Sequence, residues 1–429
     1  TDIRYRYSAA YARLGYNYQD QYLINFTARK DASSRFGPGK QIANFGAVGG
    51  AWIFSKQDVI KDNLSFLSFG KLRASYGITG NDQISDYKFL STYSANGLAY
   101  QGVAGLNPTS LTNPNYGWES VKKLEAGLDL GFIKDRILFN VSWYQNRTGN
   151  QLVGYSLPSI TGFTSIQANL PAVIQNRGTE FELTTHNISG KDFSWTTSAN
   201  LSVPRNKLLS YPNLANSSYA TTYVEGMPLS ISFLFHYTGV DPTTKQYTFE
   251  DVNKDGQVTY GSDRKPVFVG QKYFGGLNNS ITYKGFQLDF FLQFVKQNGY
   301  NFLGSVPGAF SNSANQLASV IQSTNGGTGV QNFTQDYSSG LNNAYSSYFS
   351  SDGNLTDASF IRLKNISLSW NLTEKYLNYL KLRNVRIYVQ GQNIFTITKY
   401  KGLDPEFSGS QLASLPPLRI IMAGIQLSL

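Results

Sequence analysis

The stretch WESVKKLEAGLDLGF, residues 118–132, decides the fold. Leu124, Ala126, Leu128, Leu130 and Phe132 share one parity; Lys123, Glu125, Gly127, Asp129 and Gly131 share the other. Side chains alternate across a strand, so this segment as a strand has one apolar face and one polar or minimal face.

The pattern recurs along the chain. In 134–148, Ile137, Phe139, Val141 and Trp143 oppose Asn140, Ser142 and Tyr144. In 358–372, Ile366, Leu368, Trp370 and Leu372 oppose Asn365, Ser367, Ser369 and Asn371. In 382–398, Val385, Ile387 and Val389 oppose Arg386, Tyr388 and Gln390. The final segment sets Ile421, Ala423, Ile425, Leu427 and Leu429 against Met422, Gly424, Gln426 and Ser428. The reading predicts strands at 7–18, 20–32, 41–56, 68–79, 118–131, 134–148, 175–188, 191–205, 273–283, 286–300, 358–372, 382–398 and 418–429.

A soluble sandwich also alternates. Its strands, however, usually run ~5–6 residues, whereas most of these run about 11–16. The connections alternate as well. Those at 19, 57–67, 132–133, 189–190, 284–285 and 373–381 are short. Those at 33–40, 80–117, 149–174, 206–272, 301–357 and 399–417 are mostly long, although 33–40 is no longer than 57–67. Outer-membrane barrels have this asymmetry, with tight periplasmic turns on one rim and long extracellular loops on the other. Phe132-Ile133, Ser189-Gly190 and Lys284-Gly285 would then be periplasmic turns. Lipid forbids an open sheet edge, so such strands close into a barrel. Trp143, Trp195 and Trp370 suit interfacial girdles. Thirteen strands is an odd number, and bacterial barrels are even. A strand starting at residue 7, with no signal peptide before it, adds to the expectation of a fragment, or of a chain whose first half lies elsewhere.

Composition agrees with an all-β, aromatic-rich chain. The 429 residues include 29 Tyr, 28 Phe and 40 Gly, and 15% are charged. The absence of Cys excludes disulfides, thiolate nucleophiles and Cys-based metal sites. The two histidines, His186 and His236, stand at no metal or triad spacing. The net charge of +10 is scattered without a Lys/Arg run, which argues against nucleic acid as a partner. No run of ~18 apolar residues makes a transmembrane helix, but a membrane strand needs only ~9–11.

A series of short motifs then carries a resemblance. Asp31-Ala32-Ser33-Ser34-Arg35-Phe36-Gly37 is followed by Leu72-Arg73-Ala74-Ser75-Tyr76-Gly77-Ile78-Thr79-Gly80-Asn81-Asp82. Next come Asn176-Arg177-Gly178-Thr179-Glu180-Phe181-Glu182, Asp192-Phe193-Ser194-Trp195, Gly276-Leu277-Asn278-Asn279 and Tyr283-Lys284-Gly285-Phe286. Ser359-Phe360-Ile361-Arg362-Leu363-Lys364-Asn365-Ile366, Gln392-Asn393-Ile394-Phe395-Thr396 and Gly402-Leu403-Asp404-Pro405-Glu406 complete the series. In this order they resemble the C-terminal part of SusC/RagA-type TonB-dependent outer-membrane transporters of Bacteroidetes, over essentially the whole chain. The resemblance implies that 1–429 is about the last 13 strands of a 22-stranded barrel, with no plug or TonB box in this segment. It implies nutrient import without enzymatic activity, and a SusD-like surface lipoprotein as partner. It further implies coupling to TonB, ExbB and ExbD through an N-terminal plug and barrel portion, which a separate chain would carry if the two are split. Membrane lipid and lipopolysaccharide would surround the wall. The family usually ends on an aromatic residue, and this chain ends on Leu429. The alternative is a passive structural or adhesive barrel.

One loop carries a second signal. In DVNKDGQVTYGSDR, 251–264, Asp251, Asn253 and Asp255 occupy positions 1, 3 and 5 of a calcium loop. Gly256 permits the turn and Gln257 offers its carbonyl. The closing carboxylate, Asp263, falls one residue past position 12. The expectation is a structural Ca²⁺ on Asp251, Asn253, Asp255, Gln257 and Asp263, against an Asx-rich turn without metal. Elsewhere, Asp31 and Arg35 would pair across a turn or bind an acidic ligand, against the favoured reading of a solvated or lumen-facing charge pair. Asp404-Pro405-Glu406 beside Lys399 and Lys401 reads as a polar external loop, against an extracellular interaction site. Tyr93, Tyr100, Tyr116 and Tyr155 would either stack on a ligand or sit near the membrane interface. Gly39-Lys40 lacks a P-loop frame.

Overall fold

The computed structural model describes residues 3–301, 329–336, 338–372, 377, 382–409 and 415–428. Leu429 and most of the predicted 373–381 turn lie outside them. The long strands are β1 (Tyr7–Tyr18), β2 (Tyr22–Ser33), β3 (Ile42–Trp52), β4 (Leu67–Asn81), β5 (Glu119–Phe132), β6 (Ile137–Gly149) and β7 (Val173–Ser189). They continue as β8 (Phe193–Ser210), β9 (Gln271–Tyr283), β10 (Phe286–Tyr300), β11 (Phe360–Asn371), β12 (Asn384–Thr398) and β13 (Ile420–Ser428). These are the thirteen predicted strands, and each is hydrogen-bonded to its sequence neighbour in one antiparallel sheet. The contacts divide the chain into two compact units, residues 1–184 with 202–229, and residues 185–201 with 230–429.

In the first unit the register sorts the side chains as the sequence demands. Leu72 faces Leu128, Ala74 faces Ala126 and Tyr76 faces Leu124. Leu128 in turn faces Val141, and Ala126 faces Trp143. This face is apolar, yet large side chains on it such as Leu72, Leu124 and Trp143 remain exposed. That inversion of the usual rule marks a sheet whose surroundings are lipid. In the second unit, Phe286 faces Trp370 with the rings stacked at 5.5 Å, and Leu288 faces Leu368.

Most of the short connections are wider than predicted or differently placed. The turn at 19–20 puts Gln19 and Asp20 at φ 54° and 52°, so β2 starts at Tyr22 and not at 20. Tyr18 pairs with Tyr22, so the loop holds three residues, and the Gln21 N–H donates to the Tyr18 carbonyl at 3.0 Å across this left-handed pair. The turn predicted at 132–133 spans 133–136; Ile133, Lys134 and Asp135 all have positive φ, and Ser68 Oγ donates to Asp135 at 2.6 Å. Strand β3 ends at Trp52, not 56. A 3-10 turn at Phe54–Lys56 and a short helix at Asp58–Asn63 follow, where the period-2 alternation lapses.

The long connections, read as plain loops, contain structure of their own. Hairpins pair 92–100 with 103–110 and 151–156 with 165–170. In the second unit, 231–235 pairs with 264–268, 237–240 pairs with 247–249, and a helix spans Gly340–Phe349. Hydrophobic clusters hold these loops. Leu170, Ala172, Ile174, Leu208 and Tyr211 form one, and Tyr247 and Tyr345 with Tyr237, Phe249 and Tyr348 form another.

Candidate functional site

A barrel wall acts through the face opposite its lipid side. On β4 and β5 that face carries Lys71, Arg73, Glu125 and Asp129, which the alternation puts on one parity. Arg73 forms an ion pair with Glu125 and lies 3.7 Å from Asp129, while Lys71 stands 3.6 Å from Asp129. Gly127 makes this possible: a Cβ there would come within 2.6 Å of the Arg73 guanidinium. The charged network therefore lies flat on the wall. Above it a cavity of ≈ 700 Å³ is lined by Ser75, Lys123, Glu125, Tyr144, Asn146 and Glu180, among others. Gly178 gives the Tyr144 phenol its space in the same way.

At the long-loop end, the Asp31 and Arg35 motif does not form the pair expected of it. Asp31 accepts from Arg29 Nε at 2.6 Å, and Arg35 Nε donates to Asp86 at 3.1 Å. Arg35 also donates to the Asp82 carbonyl at 3.0 Å and stacks over the Tyr5 ring at 4.1 Å. Ser33 Oγ and the Tyr5 hydroxyl both donate to Asp82 Oδ2. The motif thus ties β2 to the segment after β4.

The loop tyrosines separate by burial. Tyr116 is fully buried against Phe36, and desolvation pushes its hydroxyl up to about 12, so it is core and no ligand platform. Tyr155 packs edge-on to Tyr219 at 6.0 Å. Tyr93 is 60% exposed.

In the second unit the Asp404-Pro405-Glu406 loop is anchored, in contrast to the polar external loop expected. Arg362, 1% exposed, donates through Nη2 to both Asp404 carboxylate oxygens at 2.7 and 2.6 Å. Its Nη1 donates to Glu406 at 2.6 Å and its Nε to Thr396 Oγ1 at 2.9 Å. Gln297 Nε2 donates to the Pro405 carbonyl at 2.6 Å. Arg362 lies in a motif already quoted, but its role was missed because its partners are 42 and 44 residues away.

The acidic loop, between β8 and β9, is built on backbone amides. Asp251 accepts from the Lys254 and Gly256 N–H groups at 2.7 and 2.8 Å. Asn253 accepts from Asp255 N and donates to Asp255 Oδ2, and Asp255 Oδ1 accepts from Gln257 N. Asp263, fully buried, accepts at Oδ1 from Val252 and Asn253 N–H. Its Oδ2 accepts from Thr259 N–H and from the Thr259 and Ser262 hydroxyls. These donors, led by Thr259 N–H, hold its carboxyl down at about 2. Among the described residues no three His, Asp or Glu side chains converge as a metal-binding group. A Ca²⁺ here would therefore draw on amide and carbonyl oxygens too.

His186 Nδ1 lies 3.3 Å from Thr196 Oγ1. His236 Nδ1 lies 2.7 Å from Asp352 Oδ2, a partner that its sequence spacing gave no hint of.

No family model matches the chain. TonB-dependent receptor P3 of Formosa agariphila is 31% identical over 440 residues, covering 93% of this chain and 42% of the relative. TonB-dependent receptor SusC of Bacteroides thetaiotaomicron is 28% identical, covering 97% of this chain and 43% of the relative. The chain thus spans a little under half the length of these curated relatives. Among solved structures, the RagAB peptide transporter superposes with a TM-score of 0.82 at 27% identity, covering 99% of this chain and 48% of that one. No helix among the described residues is long and apolar enough to cross a membrane; the crossing elements are the strands. In ordered motifs, sequence and fold alike, the chain is of the SusC/RagA type of TonB-dependent outer-membrane receptor, an antiparallel transmembrane β-barrel protein.

Proposed function

We propose that this chain supplies wall and external loops to an active outer-membrane importer of a glycan, a peptide or another large nutrient. The observation that carries the reading is the division of the wall. Its outer face is apolar and exposed, and its inner face holds the Lys71, Arg73, Glu125 and Asp129 network. Such a wall suits a hydrated lumen that holds a plug and passes a polar cargo. A SusD-like lipoprotein would cover the external mouth. TonB, with ExbB and ExbD, would pull on a plug carried by the N-terminal portion. In cells making the intact receptor, uptake of its cargo is expected to fall to background when TonB is deleted, and residues 1–429 alone are expected to give none. Uptake that persists without TonB would instead mean a passive barrel.

We also propose that the acidic loop takes Ca²⁺ on its first half. Half-buried Asp251 and exposed Asn253 and Asp255 carry side-chain oxygens, and Gln257 adds its carbonyl, all hard donors suited to this cation. Asp263 would close the loop from behind. Trypsin cleaves after Lys254, which sits at φ 61° in the exposed turn. Cleavage there is expected to slow several-fold in Ca²⁺ relative to EDTA, and equal rates would remove the metal from the account.

A further inference from the structure

The outer face of β5 to β8 changes character near the long-loop rim. On β5, Leu124 to Phe132 is eight steps of ~3.4 Å, or roughly 20 Å of height at the usual strand tilt. Just above this apolar band stands Lys122, directly paired with Arg147 of β6. Both share the parity of Leu124 and Trp143, so both point outward.

Strands β7 and β8 continue the row. Phe181 lies on the outer face with Phe139, their rings 6.4 Å apart. Gln175 lies there too, accepting from Arg147 Nε at 3.1 Å. Asn206 donates to Asn176 at 2.6 Å on the opposite face. By alternation Arg177, Arg205 and Lys207 are outward. Arg205 is steered by a bond to the Pro204 carbonyl at 2.7 Å. All five cations are exposed.

Charge sign is sorted as sharply as polarity. Every carboxylate of these four strands, Glu119, Glu125, Asp129, Glu180 and Glu182, falls on the inward parity. The outward face holds cations alone, and one pair of them sits directly cross-strand, an arrangement that is destabilising unless an anion lies between. Arginine-rich rows favour phosphate, which their planar forks bind through two parallel hydrogen bonds.

We infer that Lys122, Arg147, Arg177, Arg205 and Lys207 form a binding site for the phosphorylated headgroup of an outer-leaflet glycolipid. The position selects the lipid over a free anion: the row lies at the top of the apolar band, where acyl chains end and headgroup phosphates begin. The inference rests on the outer-membrane location and not on what the receptor imports.

The test uses the intact receptor extracted in mild detergent and presented with vesicles containing phosphorylated lipid A. Arg147→Gln, Arg177→Gln and Arg205→Gln together are expected to cut lipid A retention about tenfold or more. Lys61→Gln, a cation in the short helix at the opposite rim, is expected to leave it unchanged. Lipid A treated with phosphatase should be retained weakly by every form. Equal retention by the triple variant, equal retention of dephosphorylated lipid A, or full displacement by excess inorganic phosphate would each overturn the site. Should the triple variant fail to fold, Arg147→Gln and Arg177→Gln are read singly. Uptake is scored separately in the same cells, so loss of lipid with retained import, or the reverse, tells the two readings apart.

Discussion

Arg362→Met is expected to cost about 3–5 kcal/mol, the usual loss when one partner of a buried ion pair is removed. The size follows from what is left behind. Asp404 is 8% exposed, and without Arg362 both of its oxygens lose their Nη2 partner. Glu406 retains Lys364 at 3.3 Å, so its loss is smaller. The loop they anchor also covers the end of β10, through Gln297 to the Pro405 carbonyl and Tyr300 N–H to the Ser408 carbonyl at 2.8 Å. Lysine is no substitute, because one ammonium cannot fork onto two carboxylates. Lys364→Met, which breaks a part-exposed pair, should cost about 0–1 kcal/mol. The measurement is the temperature at which the folded receptor loses its fast electrophoretic mobility. Asp404→Asn added to Arg362→Met should recover part of the loss. A midpoint for Arg362→Met equal to that of Lys364→Met would show that the cluster does not hold the loop.

This pair also shows where sequence reading stops. The thirteen strands were legible because lipid on one side and water on the other impose a period of two on each strand. Leu124, Ala126 and Leu128 needed no knowledge of their neighbours to be placed. The loop hairpins were not legible. The one at 92–110 breaks its own alternation with Asn96-Gly97 and Pro108, and its register shifts twice. Asp31 and Arg35 were expected to pair across a turn, but Asp31 still lies in β2 beside Arg29, and Arg35, past the strand's end at Ser33, reaches Asp86. Tyr116 read as an external aromatic, yet the chain folds back on Phe36 and buries it. Arg362, Asp404 and Glu406 each stood in a recognisable motif. Their union is a long-range contact, which periodicity does not encode. The acidic loop was half legible: the positions of Asp251, Asn253 and Asp255 were right for a tight polar turn, and the late Asp263 turned out to close it with hydrogen bonds.

Asp263→Asn is expected to open the 251–263 loop. Asparagine keeps the shape of the side chain but replaces one acceptor oxygen with an NH₂ donor. Each carboxylate oxygen of Asp263 faces donors: Val252 and Asn253 N–H on one side, Thr259 N–H with two hydroxyls on the other. Whichever way the amide turns, a donor meets a donor in a fully buried site, and the backbone amides it served lose their acceptor. Hydrogen exchange of the Val252, Asn253 and Thr259 amides should accelerate about tenfold or more, since ~1.4 kcal/mol already gives that factor. The acid dependence has a defined sign. The folded carboxyl titrates at about 2, below its ordinary value of 3.8. The stabilisation it gives is therefore complete above about pH 4 and disappears as pH falls through the folded value near 2. Protection of these three amides, corrected for intrinsic exchange, should hold from pH 7 to 5 and weaken between pH 4 and 2. In Asp263→Asn that step should vanish, because nothing remains to titrate. The step is expected with EDTA present, since the closure is made by protein donors; a step seen only with Ca²⁺ would hand the closing role back to the metal.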